Sequence, residues 1–401
     1  MCSAVVDRIV DIIELFFIKD ANIRNIVSSG DNPDSGLEPA DQNVPSVYFT
    51  AFAAASGLRI LDAVRILGPS LAKLCEMSDK SRQGGVEAQG SISSNISKES
   101  STSLASNLCI AIHRMTVKNV GKCLENIALS IKHDPLNGES RPSDGRVAPV
   151  TSDVVLAIRL IYPFVSAYKS VTKRRALPWD PKIGESAGEM DSFIRYLVMT
   201  LVSNLNAKVQ QYEKNPGMES EAKSCLFMMN NTHYLLKNLA PVEATSPSYL
   251  PSDNEDGVDY RIKEEWFKNQ MDNLFSISRK RCLQLWGSLN QHVTLIPERD
   301  FSYTNAEKQL TLESGRILKA RFNGFNEDFE KLYSSHNKLT VIDDELRRLL
   351  IEEIKDVFLS SYRDFFEKYS FYNFSKKNKE DYLRYPPSKI EQMMDDMFLS
   401  H

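Results

Sequence analysis

Apolar side chains recur along most of this chain in steps of three and four residues, while runs alternating at period two are nearly absent. Val154, Ile158, Ile161, Val165 and Tyr168 follow that step, which sets them on one face of a helix. Thr151 or Ser152 stands where a hydroxyl can accept the unpaired amides of the first turn. Pro163 falls inside the pattern, and its ring and missing N–H predict a kink or an early stop. A second helix is predicted from Leu104 to Ile131, striped by Leu108, Ile112, Met115, Leu124 and Ile127. A third carries Phe193, Leu197, Leu201, Leu205 and Val209, and a fourth carries Leu226, Met229, His233 and Leu236. Near the end, Leu346, Leu350, Ile354, Phe358, Tyr362, Phe365 and Tyr369 hold one face through more than six turns. Asp343, Asp344 and Glu345 come just before, where negative charge complements a helix N-terminus. The pattern specifies an all-α chain of long helices meeting at small angles.

Polar inserts divide these helices. Residues 28–45 have the Gly, Pro and Asp content of a loop, and residues 78–103 hold nine serines with Gly84-Gly85; both are expected to be disordered. Residues 243–259 carry five acids and no base, as a solvated connection would. Three stretches follow: an N-terminal helical region over 1–103 with its two inserts, a middle bundle over 104–242, and a C-terminal bundle over 260–401 ending in a basic tail. No repeat of fixed period is present.

Composition narrows the function. Across 401 residues the formal charge is −4, with 42% hydrophobic and 25% charged residues, which argues against bulk nucleic-acid binding. The six cysteines form no C-x-x-C pair and read as small buried hydrophobes of a reducing compartment. No run of eighteen apolar residues stands out as a membrane span. Asp7, Asp11 and Glu14 interrupt the apolar opening, so it reads as an amphipathic helix, not a signal peptide. A cytoplasmic chain is expected.

Catalytic chemistry finds no foothold. S-x-x-K occurs at Ser170, Ser220 and Ser335, as chance supplies in a lysine-rich helical chain, and no G-x-x-x-x-G-K is present. The histidines lack metal-ligand spacing, and His233 on an apolar face is expected to be a core histidine. No catalytic residue, metal or cofactor is expected. Three basic clusters remain: Lys173-Arg174-Arg175, Arg279-Lys280-Arg281, and Ser375–Lys389. The last holds Lys376, Lys377, Lys379, Arg384 and Lys389 against Glu380 and Asp381, a net +3 interleaved with Tyr382 and Tyr385. Bases among interfacial aromatics suit an anionic membrane surface, although an ordinary charged loop has the same composition.

The order of motifs in the C-terminal third resembles one family. ILKARFNGFNEDFEKLY (317–333), VIDDELRRLL (341–350), SYRDFFEKY (361–369) and KNKEDYLRYPPSKIEQMMDDMF (377–398) follow one another as in the exocyst seventy-kilodalton subunit family. Upstream, residues 131–155 and CLFMMNNTHYLLKNL (225–239) resemble further family segments, so the likeness runs from about residue 104 to the end. The resemblance implies an elongated rod of stacked helical bundles and a role in tethering secretory vesicles to the plasma membrane during exocytosis. It also implies binding of phosphatidylinositol bisphosphate near the C-terminus, other exocyst subunits as partners, and contact with a Rho-family GTPase. The bases expected to touch lipid are Arg384, Lys376, Lys377, Lys379 and Lys389. Family members usually begin with a long coiled coil, and this chain is expected to start after it. Where the family's closing segment has a first lysine, this chain has Asp381, while Arg384 keeps the second positive charge. A protein-only helical adaptor that has lost lipid contact is the competing expectation.

Overall fold

A computed structural model describes residues 46–83, 101–173, 179, 190–241, 260–303, 310–375 and 378–399. The described chain is all-α, and a lone antiparallel bridge between Tyr303 and Leu310 is its only β pairing. It divides into two compact units, each discontinuous in sequence. The first takes Met1–Asp134, Val150–Asn204 and Pro241–Ile262; the second takes Pro135–Pro149, Leu205–Ala240 and Lys263–His401.

Long aliphatic helices build the first unit. Helices α1 (Val47–Gln83) and α2 (Ser101–Lys132) pack along each other. Val120, Leu124, Ile127 and Ile131 are buried on α2, as its stripe requires. Helix α3 (Pro149–Ile161) stops where Pro163 forces it to: Tyr162–Phe164 form a 3-10 turn, and α4 (Val165–Thr172) resumes beyond. Val154, Ile158, Ile161 and Tyr168 are buried, so the apolar face survives the break. The start of α3 differs from expectation. Proline is preorganised for a first helical turn, and Pro149 opens the helix, so Thr151 lies buried inside it and does not cap it. Tyr168 accepts a 2.9 Å hydrogen bond from the Trp179 indole, which packs on Phe193 of α5 (Met190–Tyr212).

Two helical stretches, Val47–Ser70 and Pro149–Thr172, are long and apolar enough to cross a membrane by composition, closer to a span than the sequence pattern suggested. About half of each window is buried inside the fold, because both supply core faces of this unit. The serine-rich insert is narrower than expected: α1 runs on to Gln83 and α2 begins at Ser101, since serines are tolerated in a first helical turn. Residues 84–100, like the inserts at 28–45 and 243–259 and the opening helix, lie outside the described residues.

Aromatic packing dominates the second unit. Its helices are α6 (Met218–Leu239), α7 (Glu265–Gly287), the short α8 (Asn290–Val293), α9 (Leu312–His336), α10 (Asp344–Tyr369), the single turn α11 (Lys379–Tyr382) and α12 (Pro387–Asp395). Phe322, Phe325 and Phe329 recur on one face of α9 and meet Phe358, Tyr362 and Phe365 of α10; the Phe325 and Tyr362 rings stack 3.9 Å apart. Trp286 of α7 closes this core against Phe358. The three acids fall at the start of α10 as expected, and Asp343 in addition caps it, accepting the Leu346 amide at 2.9 Å. Burial opposes the charge on Asp343, but Lys237, the Leu346 amide and His233 together hold its pKa down at about 2. His233 itself corrects the sequence reading. It sits half-buried, 3.5 Å from the Asp343 carboxylate, because the buried face of α6 turns through Leu226 and Met229 to Leu235 and Leu239. Among the described residues the fully buried histidine is His336, which donates from Nδ1 to the Leu332 carbonyl at 2.8 Å.

Candidate functional site

The three basic clusters meet different fates. In the second, Arg279 grips Glu353 of α10 with two nitrogens, Nε at 2.5 Å, and Arg281 lies 2.9 Å from Glu213 and 3.7 Å from Glu221. Lys280 there is exposed and both arginines are partly so. In the first, Lys173 is exposed and residues 174 and 175 lie outside the described residues. The closing segment sets its described lysines, Lys379 and Lys389, near aromatic rings and pairs one described base, Arg384, with an acid.

Helix α9 fixes that segment. Asn326 donates from Nδ2 to the Tyr382 carbonyl at 3.0 Å, and Tyr362 of α10 donates to the Tyr385 carbonyl at 2.5 Å. Phe374 stacks on Phe322 at 5.4 Å, and the Tyr385 ring lies 5.2 Å from Phe329. Ile390 and Met394 of α12 are fully buried. The described residues of the segment therefore form a packed strap over an aromatic ridge.

On this strap, Lys379 lies 5.8 Å from the centre of the Phe374 ring, and Lys389 lies 4.8 Å from that of Tyr385. Lys389 also donates to the Arg384 carbonyl at 3.3 Å. Arg384 differs from both. Its Nη1 meets Glu330 Oε1 at 2.5 Å, and the same oxygen accepts the Tyr385 hydroxyl at 2.8 Å. Burial and the Glu330 carboxylate together raise the Tyr385 phenol pKa. Asp381 is exposed. Lys376 and Lys377 lie outside the described residues. The structure thus groups Lys379, Arg384 and Lys389 on one strap and engages one of the three with an acid.

Sequence reasoning missed Asn326 and Glu330 as parts of this site. Both stood in the F-N-x-x-F-E stretch of α9, four residues apart and so on one helix face. Their partners are 55 or more positions away for Tyr385 and Tyr382, a pairing that local pattern does not encode. No group of three or more His, Cys, Asp or Glu among the described residues is arranged to hold a metal. Cys225 and Cys282 are buried, and burial raises both thiol pKa values, to about 11 for Cys225.

Residues 58–396 match the family described as the C-terminal part of the Exo70 exocyst complex subunit. The chain belongs to that family. It is 23% identical to human exocyst complex component 7 over 279 residues, 69% of this chain and 35% of that protein. It is 26% identical to exocyst complex component EXO70A1 of Arabidopsis thaliana over 256 residues, 64% of this chain and 36% of that one. The chain thus spans about a third of the length of these Exo70 relatives. Among solved structures it is similar to Exo70 of S. cerevisiae, with a TM-score of 0.44 and 15% identity, covering 96% of this chain and 69% of that one. Both the aromatic ridge of α9 and α10 and the strap fall inside the Exo70 match.

Proposed function

We propose that this chain acts as an exocyst subunit that tethers secretory vesicles to the plasma membrane in exocytosis. It would hold the membrane through phosphatidylinositol bisphosphate and the vesicle machinery through other exocyst subunits, with a Rho-family GTPase as a further partner. The lipid contact is assigned to Lys379, Lys389 and Arg384, with Lys376 and Lys377 beside them in sequence. One observation supports this most: inside a chain of the Exo70 family, the closing strap presents Lys379 and Lys389 over aromatic rings. Aromatic rings with neighbouring ammonium groups suit the polar boundary of a bilayer.

A second reading keeps the fold and drops the lipid. Arg384 is already paired with Glu330, and the exposed Asp381 puts a negative charge on the strap, which favours a protein-only adaptor. Flotation on vesicles with and without bisphosphorylated inositides decides between them. Under the lipid reading, the parent floats only with the inositide at physiological salt, Arg384→Glu weakens flotation without moving the thermal midpoint, and Asp381→Lys strengthens it. Identical behaviour of all three chains leaves the adaptor reading standing.

A further inference from the structure

The carboxylate of Glu330 occupies the place where an anion would sit if Arg384 served as a lipid contact. One oxygen, Oε1, takes both Arg384 Nη1 and the Tyr385 hydroxyl, two donors converging on a single negative atom. The convergence is imposed from below: Asn326, one turn earlier on α9, holds the Tyr382 carbonyl, and Phe329 packs on the Tyr385 ring. Lys389 lies over that same ring. An arginine fork, a phenol and a nearby ammonium form a donor set that fits a phosphate monoester at least as well as a carboxylate, because phosphate offers three acceptor oxygens and close to two charges. Glu330 and Arg384 are both about half exposed at the side chain, so an incoming anion can reach the pair and the carboxylate can swing away.

We infer that Glu330 is an internal competitor for the headgroup phosphate, occupying Arg384 and Tyr385 until a phosphate monoester displaces it. The inference rests on the lipid reading above and names the residue that sets its threshold. A lipid with a single charge would gain little by replacing one carboxylate with another anion of equal charge, whereas the phosphate monoesters of a bisphosphorylated inositide bring more charge to the same donors. Glu330 would therefore lower affinity overall and confine engagement of Arg384 to membranes rich in phosphate monoesters.

The test is a double-mutant cycle on vesicles containing phosphatidylinositol bisphosphate, with thermal midpoints recorded for every variant. Glu330→Gln, which keeps the side-chain shape and removes the charge, is expected to tighten binding by about fivefold or more, as one basic group returned to an anionic surface implies. Arg384→Gln in the Glu330→Gln background is expected to erase that gain, because the competitor acts through Arg384. Two results overturn the inference while leaving lipid binding intact: Glu330→Gln binding like the parent, or its gain persisting undiminished when Arg384 is also replaced. If neither the parent nor any variant binds these vesicles even at low salt, with folding unchanged, the lipid reading itself falls and the inference with it.

Discussion

Residues 279–281 and the strap of 374–389 look alike as sequence, each a cluster of bases on a helical chain, yet the fold treats them oppositely. Helix α7 packs against α6 and α10 and is flanked by acids: Glu353 of α10 binds Arg279, while Glu221 of α6 and Glu213, just past α5, bind Arg281. The strap lies over the aromatic ridge instead, so Lys379 and Lys389 meet ring faces and, of its described bases, only Arg384 meets an acid. Charge counted along a chain is therefore not charge available to a partner. What neighbouring elements present at close range decides it, since an ion pair already formed must be broken before either member can serve elsewhere.

The largest effect that could break this comparison lies in the ridge. Phe358 is fully buried against Trp286 at 5.8 Å and within 6.4 Å of Phe325 and Phe329. Phe358→Ala should cost about 3–5 kcal/mol in a denaturant titration, from lost burial and the cavity left behind. A loss below about 1 kcal/mol would mean that the ridge is not the scaffold on which the strap rests.

The next test probes how dry the core around His336 of α9 is. His336 is fully buried between Trp286 and Phe398, whose carbonyl accepts the Val341 amide at 3.2 Å. Burial lowers its pKa to about 4 from an ordinary 6.5, with the Leu332 carbonyl pulling weakly the other way. The unfolded chain thus takes up this proton first as pH falls. The contribution is fully present above about 6.5 and is lost progressively down to about 4, amounting to roughly 3 kcal/mol. Stability curves measured across that window should slope for the parent and flatten for His336→Met. Equal slopes would show water reaching the ring.

Much of this was legible in the sequence because its causes are local. Pro163 broke its helix where a missing N–H must, and the stripe from Leu346 to Tyr369 is buried at Phe358, Tyr362 and Phe365. The acids at 343–345 marked the start of α10 by their charge, although the cap that Asp343 supplies there was read only from the structure. What stayed hidden depends on distant pairing. Nothing near Arg279 reveals Glu353, 74 positions on, and nothing near Arg384 reveals Glu330, 54 positions back. His233 was misplaced because it stands at the edge of the buried face of α6, 3.5 Å from Asp343, and a local stripe does not separate edge from centre. The strap's cations were visible as residues, but which of them remain unengaged was not.

The smallest expected effect is the most discriminating. Glu353→Gln takes from Arg279 the carboxylate it grips and raises the net charge by one, the same change that Glu330→Gln makes beside the strap. Arg279 is 43% exposed at the side chain, so stability should fall by no more than about 1 kcal/mol. Arg281 would still be held by Glu213 and Glu221, leaving one released guanidinium among remaining acids. If place decides, binding to bisphosphoinositide vesicles should stay within about twofold of the parent, well below the gain expected from one base returned to the membrane surface. Flotation at two salt concentrations measures this directly, because an added membrane contact also steepens the salt dependence. Should Glu353→Gln tighten binding as much as Glu330→Gln does, total charge and not the strap would govern adhesion, and the contrast between the two clusters would lose its functional meaning.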